Sequence, residues 1–105
     1  MIRRERKPPG PTARARAQRR GAAYRAYVRV CKLVDLRDDY RCRGCDESVL
    51  RRPRHHHHIV FRSQCGEDTL ENLVLLCADC HDAVHRTRNL VVARTDDGVT
   101  FTWRP

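Results

Sequence analysis

The side chains best able to do chemistry in this chain of 105 residues are its six cysteines and six histidines. A thiolate binds soft metal ions such as zinc. An imidazole, whose unperturbed pKa is about 6.5, can bind a metal or accept a proton near neutral pH. Most of these residues lie between positions 42 and 85, and their spacing there divides them into two groups.

The first group consists of four cysteines in two C-x-x-C pairs, Cys42 with Cys45 and Cys77 with Cys80. Each pair has the spacing of a zinc knuckle, and two knuckles complete a tetrahedron of sulfur that selects zinc. Such a site has no open position, so we expect a structural zinc that ties the start of the domain to its end. The alternatives are two unrelated buried pairs, a redox pair or a disulfide framework. Cys65 has no partner at ligand spacing.

The second group consists of histidines that could hold a metal and leave coordination positions open. His81 and His85 are four residues apart on a predicted helix and therefore share one face of it. The run His55 to His58 leads into a short apolar strand, in which adjacent side chains point in different directions. One histidine of the run can thus bind a metal while its neighbour meets a water molecule. The run could also be an expression tag or a metal-sequestering tract. Which of its four histidines takes which role is open as well, because His55 and His56 lie two residues earlier on the same two faces as His57 and His58.

The order and spacing of these residues resemble the HNH endonuclease motif, in its zinc-knuckle form common in bacteria and phages. The resemblance covers about Asp38 to Arg86 and implies a small α+β fold, the ββα-metal or His-Me finger domain. The segments that carry it are His57-His58-Ile59, Arg62-Ser63-Gln64, Gly66-Glu67-Asp68, Glu71-Asn72-Leu73, Leu76-Cys77-Ala78-Asp79-Cys80-His81 and His85.

The resemblance also implies roles for single residues. His58 would be the general base that activates water for phosphodiester hydrolysis. Asn72 would pin the loop between the strands and hold the base in place, because its amide both donates and accepts hydrogen bonds. Arg62 is a candidate contact to the scissile phosphate. In so basic a chain, Arg62 could equally be a solvated surface arginine.

By the same resemblance, His57, His81 and, less regularly among relatives, His85 would hold one catalytic divalent metal. We consider Mg²⁺, Mn²⁺, Ni²⁺ and Zn²⁺ as that ion. Many relatives carry an acid where this chain has His57. A histidine there favours transition metals over magnesium, which prefers oxygen ligands.

The remaining pattern predicts the elements that position these groups. We expect a disordered basic arm over residues 1–20 and a single nuclease domain over 21–105, with its motif core at 38–86. Within the domain, apolar spacing predicts an N-terminal helix, two strands, a short helix and a C-terminal β-hairpin. Their predicted bounds are Ala22–Leu36, Arg54–Phe61, Asn72–Leu76, Asp79–Arg86, and Leu90–Arg94 paired with Val99–Trp103.

The charge of the chain favours a polyanionic partner. Its formal net charge is +9, and Lys7 and Lys32 are the two lysines among 22 basic residues. Arginine suits phosphate, so the composition favours nucleic acid as that partner. The resemblance implies that the nucleic acid is double-stranded DNA, read with weak sequence preference. The codon usage of a GC-rich genome is an alternative explanation for the many arginines, and both explanations can hold. No apolar stretch predicts a signal peptide or membrane span, and a cytoplasmic location and no membrane partner are expected.

Two other functions remain open at this point. The cysteines and the basic arm alone would suffice for a non-catalytic, zinc-stabilised nucleic-acid-binding module. The binding module does not account for the histidines and Asn72 standing in the order of the motif. A component of phage DNA packaging that nicks DNA only beside its packaging partners is the third possibility; the small size and the resemblance allow it, but no residue demands it.

Overall fold

The structure, a computed structural model, describes residues 10–105. In that part of the chain two helices and two separate antiparallel hairpins follow one another, with short 3₁₀ turns at Arg62–Gln64 and Leu70–Asn72. This arrangement confirms the predicted α+β fold with an N-terminal helix, a ββα unit and a C-terminal hairpin. The elements are α1 (Ala13–Arg37), β1 (Arg54–His58), β2 (Leu73–Cys77), α2 (Ala78–His85), β3 (Leu90–Thr95) and β4 (Gly98–Trp103).

Helix α1 begins well before the predicted Ala22, so residues 13–20 of the expected disordered arm are helical. Alanine and arginine, which dominate this stretch, are strong helix formers. Thr12 caps the helix, its side chain accepting a hydrogen bond from the Ala15 N–H at 3.1 Å. High charge and low apolar content predicted disorder here, but the cap and the helix-forming residues favour a helix. Residues 1–9 of the arm lie outside the described part of the chain.

Strands β1 and β2 pair so that successive histidines of β1 point to opposite sides. His57 lies opposite Val74 in the antiparallel register. His55 and His57 contact α2, whereas His56 and His58 lie toward α1. The strand ends at His58 rather than at the predicted Phe61. The Ile59 N–H still donates to the carbonyl of Asn72, but the next N–H, that of Val60, donates to the Asn72 side chain and so leaves the backbone ladder.

The core is built around β2, all five residues of which are buried. At the end of α1, the buried carboxylate of Asp38 accepts hydrogen bonds from Arg37, from Arg43 and from the Leu75 N–H of β2. This carboxylate therefore ties α1 and the first cysteine knuckle to the central strand. Apolar side chains from all parts of the domain complete the core, among them Val34, Val49, Leu73, Leu75, Leu76 and Leu90.

Candidate metal centres and cleft

The four knuckle cysteines meet at one point. Their sulfur atoms all lie within 4.8 Å of one another, and the Sγ atoms of Cys45 and Cys77 are 3.9 Å apart. Sulfurs of a tetrahedral zinc site are separated by roughly 3.8 Å, given Zn–S bonds near 2.3 Å. All six cysteines of the chain are unpaired by disulfides. The donor set and its geometry thus fit zinc, as the spacing predicted, and fit neither a disulfide framework nor two unrelated pairs.

Close packing explains why the first knuckle contains a glycine. A Cβ atom at Gly44 would lie 3.0 Å from the Cys80 sulfur and 3.1 Å from Leu90. Its carbonyl accepts a hydrogen bond from the indole N–H of Trp103 at 3.2 Å, so the C-terminal hairpin covers this knuckle. The second knuckle starts α2, where the Cys77 sulfur caps the helix by accepting from the Cys80 N–H.

Three imidazoles, from His57 of β1 and from His81 and His85 of α2, form a second cluster. Their ligand atoms all lie within 4.8 Å of one another. The ring centroids are 5.6 Å apart for His57 and His81, 5.1 Å for His57 and His85, and 4.6 Å for the two helical residues. The i, i+4 spacing on α2 and the strand position of His57 bring together the three residues that the sequence predicted as metal ligands.

The chemistry of this cluster fits a divalent cation with open positions. Burial lowers the pKa of His57 to about 4, and proximity to His85 and His81 adds to the shift. Burial likewise lowers the pKa of His81 to about 4, with His55 and His85 contributing. Both rings are therefore neutral at pH 7 and carry lone pairs for a metal. Within residues 10–105, the ring nitrogens of the three histidines make no hydrogen bond to a protein group, which leaves them available as ligands.

His58 projects from the other side of β1 into a polar group that the sequence did not predict in full. Its Nε2 lies 2.6 Å from Oδ1 of Asp68, which also accepts a hydrogen bond from the Arg62 Nε at 3.1 Å. Burial alone would raise the pKa of Asp68, but these two hydrogen bonds lower it below its usual range. Because Asp68 is an anion, its 2.6 Å contact requires a proton on the Nε2 of His58, so the Arg62 Nε–H, which lies 3.3 Å from that nitrogen, donates to Asp68 and not to His58. A neutral His58 then has its lone pair on Nδ1.

Arg62 and Tyr27 complete this side of the cleft. The guanidinium of Arg62 lies over the Tyr27 ring at 5.0 Å, and the ring of Tyr27 stacks on His58 at 6.4 Å. Burial, with a hydrogen bond to Cys31, raises the pKa of Tyr27 to about 12, so its hydroxyl stays protonated. Arg62 is 59% exposed at its side chain and stands at the rim of the cleft, where a phosphate can reach it.

Asn72 bridges the loop that carries Arg62 and Asp68. Its Oδ1 accepts from the Val60 N–H at 2.8 Å, and its Nδ2 donates to the carbonyls of Val60 and Glu67 at 3.0 and 2.9 Å. The loop is tight as well, because a Cβ at Gly66 would collide with the Val60 carbonyl. The side chain of Asn72 therefore joins both ends of the loop.

The other histidines of the run have different neighbours. His55 stacks on His81 with a centroid separation of 4.5 Å. His56 places its Nε2 2.7 Å from the buried carboxylate of Asp35, which also pairs with Arg54. Neither belongs to the three-histidine cluster. Cys65, which had no predicted role, is exposed at the end of a 3₁₀ turn.

The two histidine faces open into one cleft of about 280 Å³. The sequence could not have predicted the contributions of Tyr27 and Asp68, which come from distant or irregular parts of the chain. Asp68 stood in one of the segments that carry the family resemblance, but without an assigned role. The lining residues are Tyr27, His56, His57, His58, Phe61, Arg62, His81 and His85.

Comparison with known proteins gives one finding. The model of a family described as HNH endonuclease matches residues 42–87, which contain both knuckles, the histidine run and α2. No curated protein and no solved structure matches the chain. In residues 10–105, helix α1 is too polar and α2 too short to cross a bilayer.

Proposed function

Because residues 42–87 belong to the HNH endonuclease family, in its four-cysteine zinc-knuckle form, we propose that this chain is a metal-dependent endonuclease that hydrolyses phosphodiester bonds in DNA. The observation that carries the proposal is the single cleft lined both by the three-histidine cluster and by His58, a separate imidazole bound to a carboxylate. Hydrolysis needs a cation that stabilises charge on the phosphate and a base that activates water beside the same phosphate. This arrangement can supply both.

His57, His81 and His85 would hold the catalytic divalent metal, Mg²⁺, Mn²⁺, Ni²⁺ or Zn²⁺. When bound, the ion supplies Lewis-acid stabilisation of charge on the phosphate and the leaving oxygen. Three neutral nitrogen ligands favour a transition metal over Mg²⁺. The cysteine cluster would hold a structural zinc and take no part in the reaction.

His58 is the proposed general base. Its Nδ1 accepts a proton from water, while its Nε2–H donates a hydrogen bond to the carboxylate of Asp68. The carboxylate fixes the tautomer and stabilises the imidazolium as it forms. Arg62 lies next to both groups and donates to the substrate phosphate. Asn72 moves no proton; it holds the loop that positions Arg62 and Asp68.

The substrate we propose is double-stranded DNA, contacted mainly through its phosphates and with little base readout. The excess of arginine and the net charge of +9 support a polyanion. We also propose a cytoplasmic location, from the zinc-type cysteine spacing and the apolar pattern, and a role beside phage packaging proteins, from the resemblance alone. The second candidate, a zinc-stabilised binding module, accounts for the cysteines and the charge but not for the histidine cluster or the His58–Asp68 pair.

Plasmid cleavage across a series of divalent metals tests the proposal. The wild-type protein should convert supercoiled plasmid only when a divalent metal is supplied, and a chelator should stop the reaction. His58→Ala should cut about 10²- to 10⁴-fold more slowly, the usual contribution of a general base, while still binding DNA. Binding without any cutting, by a folded and zinc-loaded wild-type protein, would select the binding module instead.

His56→Ala is the matched control, because His56 lies on the same side of β1, two residues earlier. It removes the same imidazole but leaves the His58–Asp68 pair intact, so cleavage should fall far less than in His58→Ala. The reverse order of effects would move the base to His56 and show that the histidine run had been placed in the wrong register.

A further inference from the structure

The N-terminal half of α1, residues 13–26, projects from the domain and contributes no side chain to its core. None of its residues is buried. At 1.5 Å per residue this segment is about 20 Å long. It contains five arginines and no acidic residue: Arg14, Arg16, Arg19, Arg20 and Arg25.

Within residues 10–105, no acidic side chain offsets the positive charge of this half-helix, and the Arg16 guanidinium donates to the neutral carbonyl of Pro11 at 2.6 Å. Among residues 10–105, no carboxylate lies within 4.0 Å of any of the five guanidinium groups. The first turn of α1 also lacks acidic residues, so the arginines there oppose the positive end of the helix dipole. A helical segment with neither packing nor ion pairs is marginal in water. Binding to an anionic partner would stabilise it.

Two of these arginines lie on the side of α1 that carries Tyr27 and faces the cleft. Tyr27 lines the cleft, and Cys31 and Val34 pack into the domain from the same face of α1. Counting back by three and four residues, that face continues through Ala23 to Arg20 and Arg16. Arg14 and Arg25 are eleven residues apart, so they share the opposite side of the helix.

A surface groove joins the cleft to this face. Its lining includes Tyr27 and Arg62, which also line the cleft, and it continues past Tyr24 on α1. Tyr24 is 66% exposed and therefore open to a partner. The path from the cleft therefore leads along α1 toward Arg20.

We propose that Arg16 and Arg20 bind the phosphate backbone of duplex DNA and extend the DNA contact beyond the cleft. This inference rests on the proposed function in that the DNA leaving the cleft is the substrate. Arg20 and Arg16 stand about 10 and 16 Å from Tyr27 along the helix axis. These distances correspond to roughly three and five base pairs of duplex at 3.4 Å each. The regular spacing and the continuity with the cleft favour DNA over an acidic protein or lipid surface.

Salt-dependent DNA binding tests this proposal, measured by fluorescence anisotropy of a 24-base-pair duplex. All proteins carry His58→Ala, so that the DNA stays intact, and are kept zinc-loaded. Arg16→Gln combined with Arg20→Gln should weaken binding about tenfold or more at 0.1 M salt and reduce the slope of log K against log salt by about 1.8, or 0.9 per lost phosphate contact. Arg14→Gln combined with Arg25→Gln removes the same charge from the opposite side and should change the slope by much less.

Circular dichroism gives a second readout. Addition of the duplex should increase the helical signal at 222 nm in the wild-type sequence and in the Arg14/Arg25 variant, and should increase it less when Arg16 and Arg20 are replaced. Equal losses of affinity in both double variants would overturn the assignment of one face. Unchanged DNA binding, or a loss seen only with RNA or anionic lipid vesicles, would overturn the DNA contact itself. Because no step requires cleavage, these outcomes do not depend on whether the protein is a nuclease.

Discussion

Asn72 offers the sharpest test of how the loop supports the cleft. The side chain makes three hydrogen bonds to backbone groups, two with Val60 and one with the carbonyl of Glu67. Asn72→Ala removes all three. Asn72→Asp retains the shape and the oxygen that accepts from the Val60 N–H, but it replaces the donating NH₂ group by an oxygen that faces two carbonyls.

The size of the effect follows from these contacts. A hydrogen bond contributes a net 0.5–1.5 kcal/mol, and three of them about 2–4 kcal/mol. Asn72 is half-buried, so water replaces part of the loss, and we expect Asn72→Ala to lower the free energy of unfolding by about 1–3 kcal/mol. At neutral pH, Asn72→Asp should cost at least as much, because a carboxylate cannot donate and is repelled by the two carbonyls.

Urea denaturation of the zinc-loaded protein measures this free energy, and plasmid cleavage measures the effect on the site. Both variants should also cut more slowly, because the loop that carries Arg62 and Asp68 loses its bridge. Asn89→Ala is the matched control, since Asn89 is the other asparagine of the chain and is exposed. Acidification that protonates the introduced Asp should recover part of the stability, as the protonated carboxyl can donate again.

Two results would refute this reasoning. If Asn72→Ala cost no more than Asn89→Ala, the hydrogen bonds would not be supporting the loop. If Asn72→Asp were as stable as the wild type at pH 7, the two donated hydrogen bonds would not be the important ones. Stability loss with unchanged cleavage would separate the loop from the reaction and reassign Asn72 to folding alone.

Three further predictions concern other contacts. Cys45→Ser should weaken zinc binding and expose the indole of Trp103, which a red shift of tryptophan fluorescence would report; retention of one zinc per chain at wild-type affinity would contradict the four-sulfur site. Gly66→Ala should lower the free energy of unfolding by more than 2 kcal/mol, because its Cβ has no room beside a backbone carbonyl; a stability equal to the wild type in urea would disprove the tight loop. Asp68→Asn should reduce kcat about five- to tenfold, the difference between a charge-assisted and a neutral hydrogen bond to His58, with KM for DNA unchanged or lower because a negative charge leaves the cleft; equal changes in stability and KM without an effect on kcat would argue for a structural role.

The sequence predicts those parts of the molecule in which the residue type and the spacing together allow few arrangements. Two C-x-x-C pairs predict a tetrahedral sulfur site because few other arrangements use four thiols at this spacing. His81 and His85 predict a shared face because α-helical geometry allows little else at that spacing. In both cases the structure brings the residues within ligand distance of one another. Local geometry alone therefore accounts for most of the two clusters.

The parts that the sequence did not predict depend on contacts between distant segments. Asp68 lies in an irregular loop without a period, and Tyr27 reaches the cleft only because Asp38 and Arg37 dock α1 onto β2. The early start of α1 is a different case. Its apolar content is low, so a charge-based expectation favoured disorder, whereas the Thr12 cap and the alanines between the arginines favour a helix.

The histidine run shows how a site can depend on residues outside itself. Four identical side chains in β1 cannot specify their own register, because a slip of two residues would present the same imidazoles on the same faces. The register must come from the two ends of the strand. At one end, Arg54 lies opposite Cys77, which the sulfur cluster holds in place. At the other, the Ile59 N–H binds the carbonyl of Asn72. The cysteine cluster and the Asn72 loop, which carry no base or open metal position, thus determine that His57 rather than His55 joins His81 and His85 in the three-histidine cluster and that His58 rather than His56 meets Asp68.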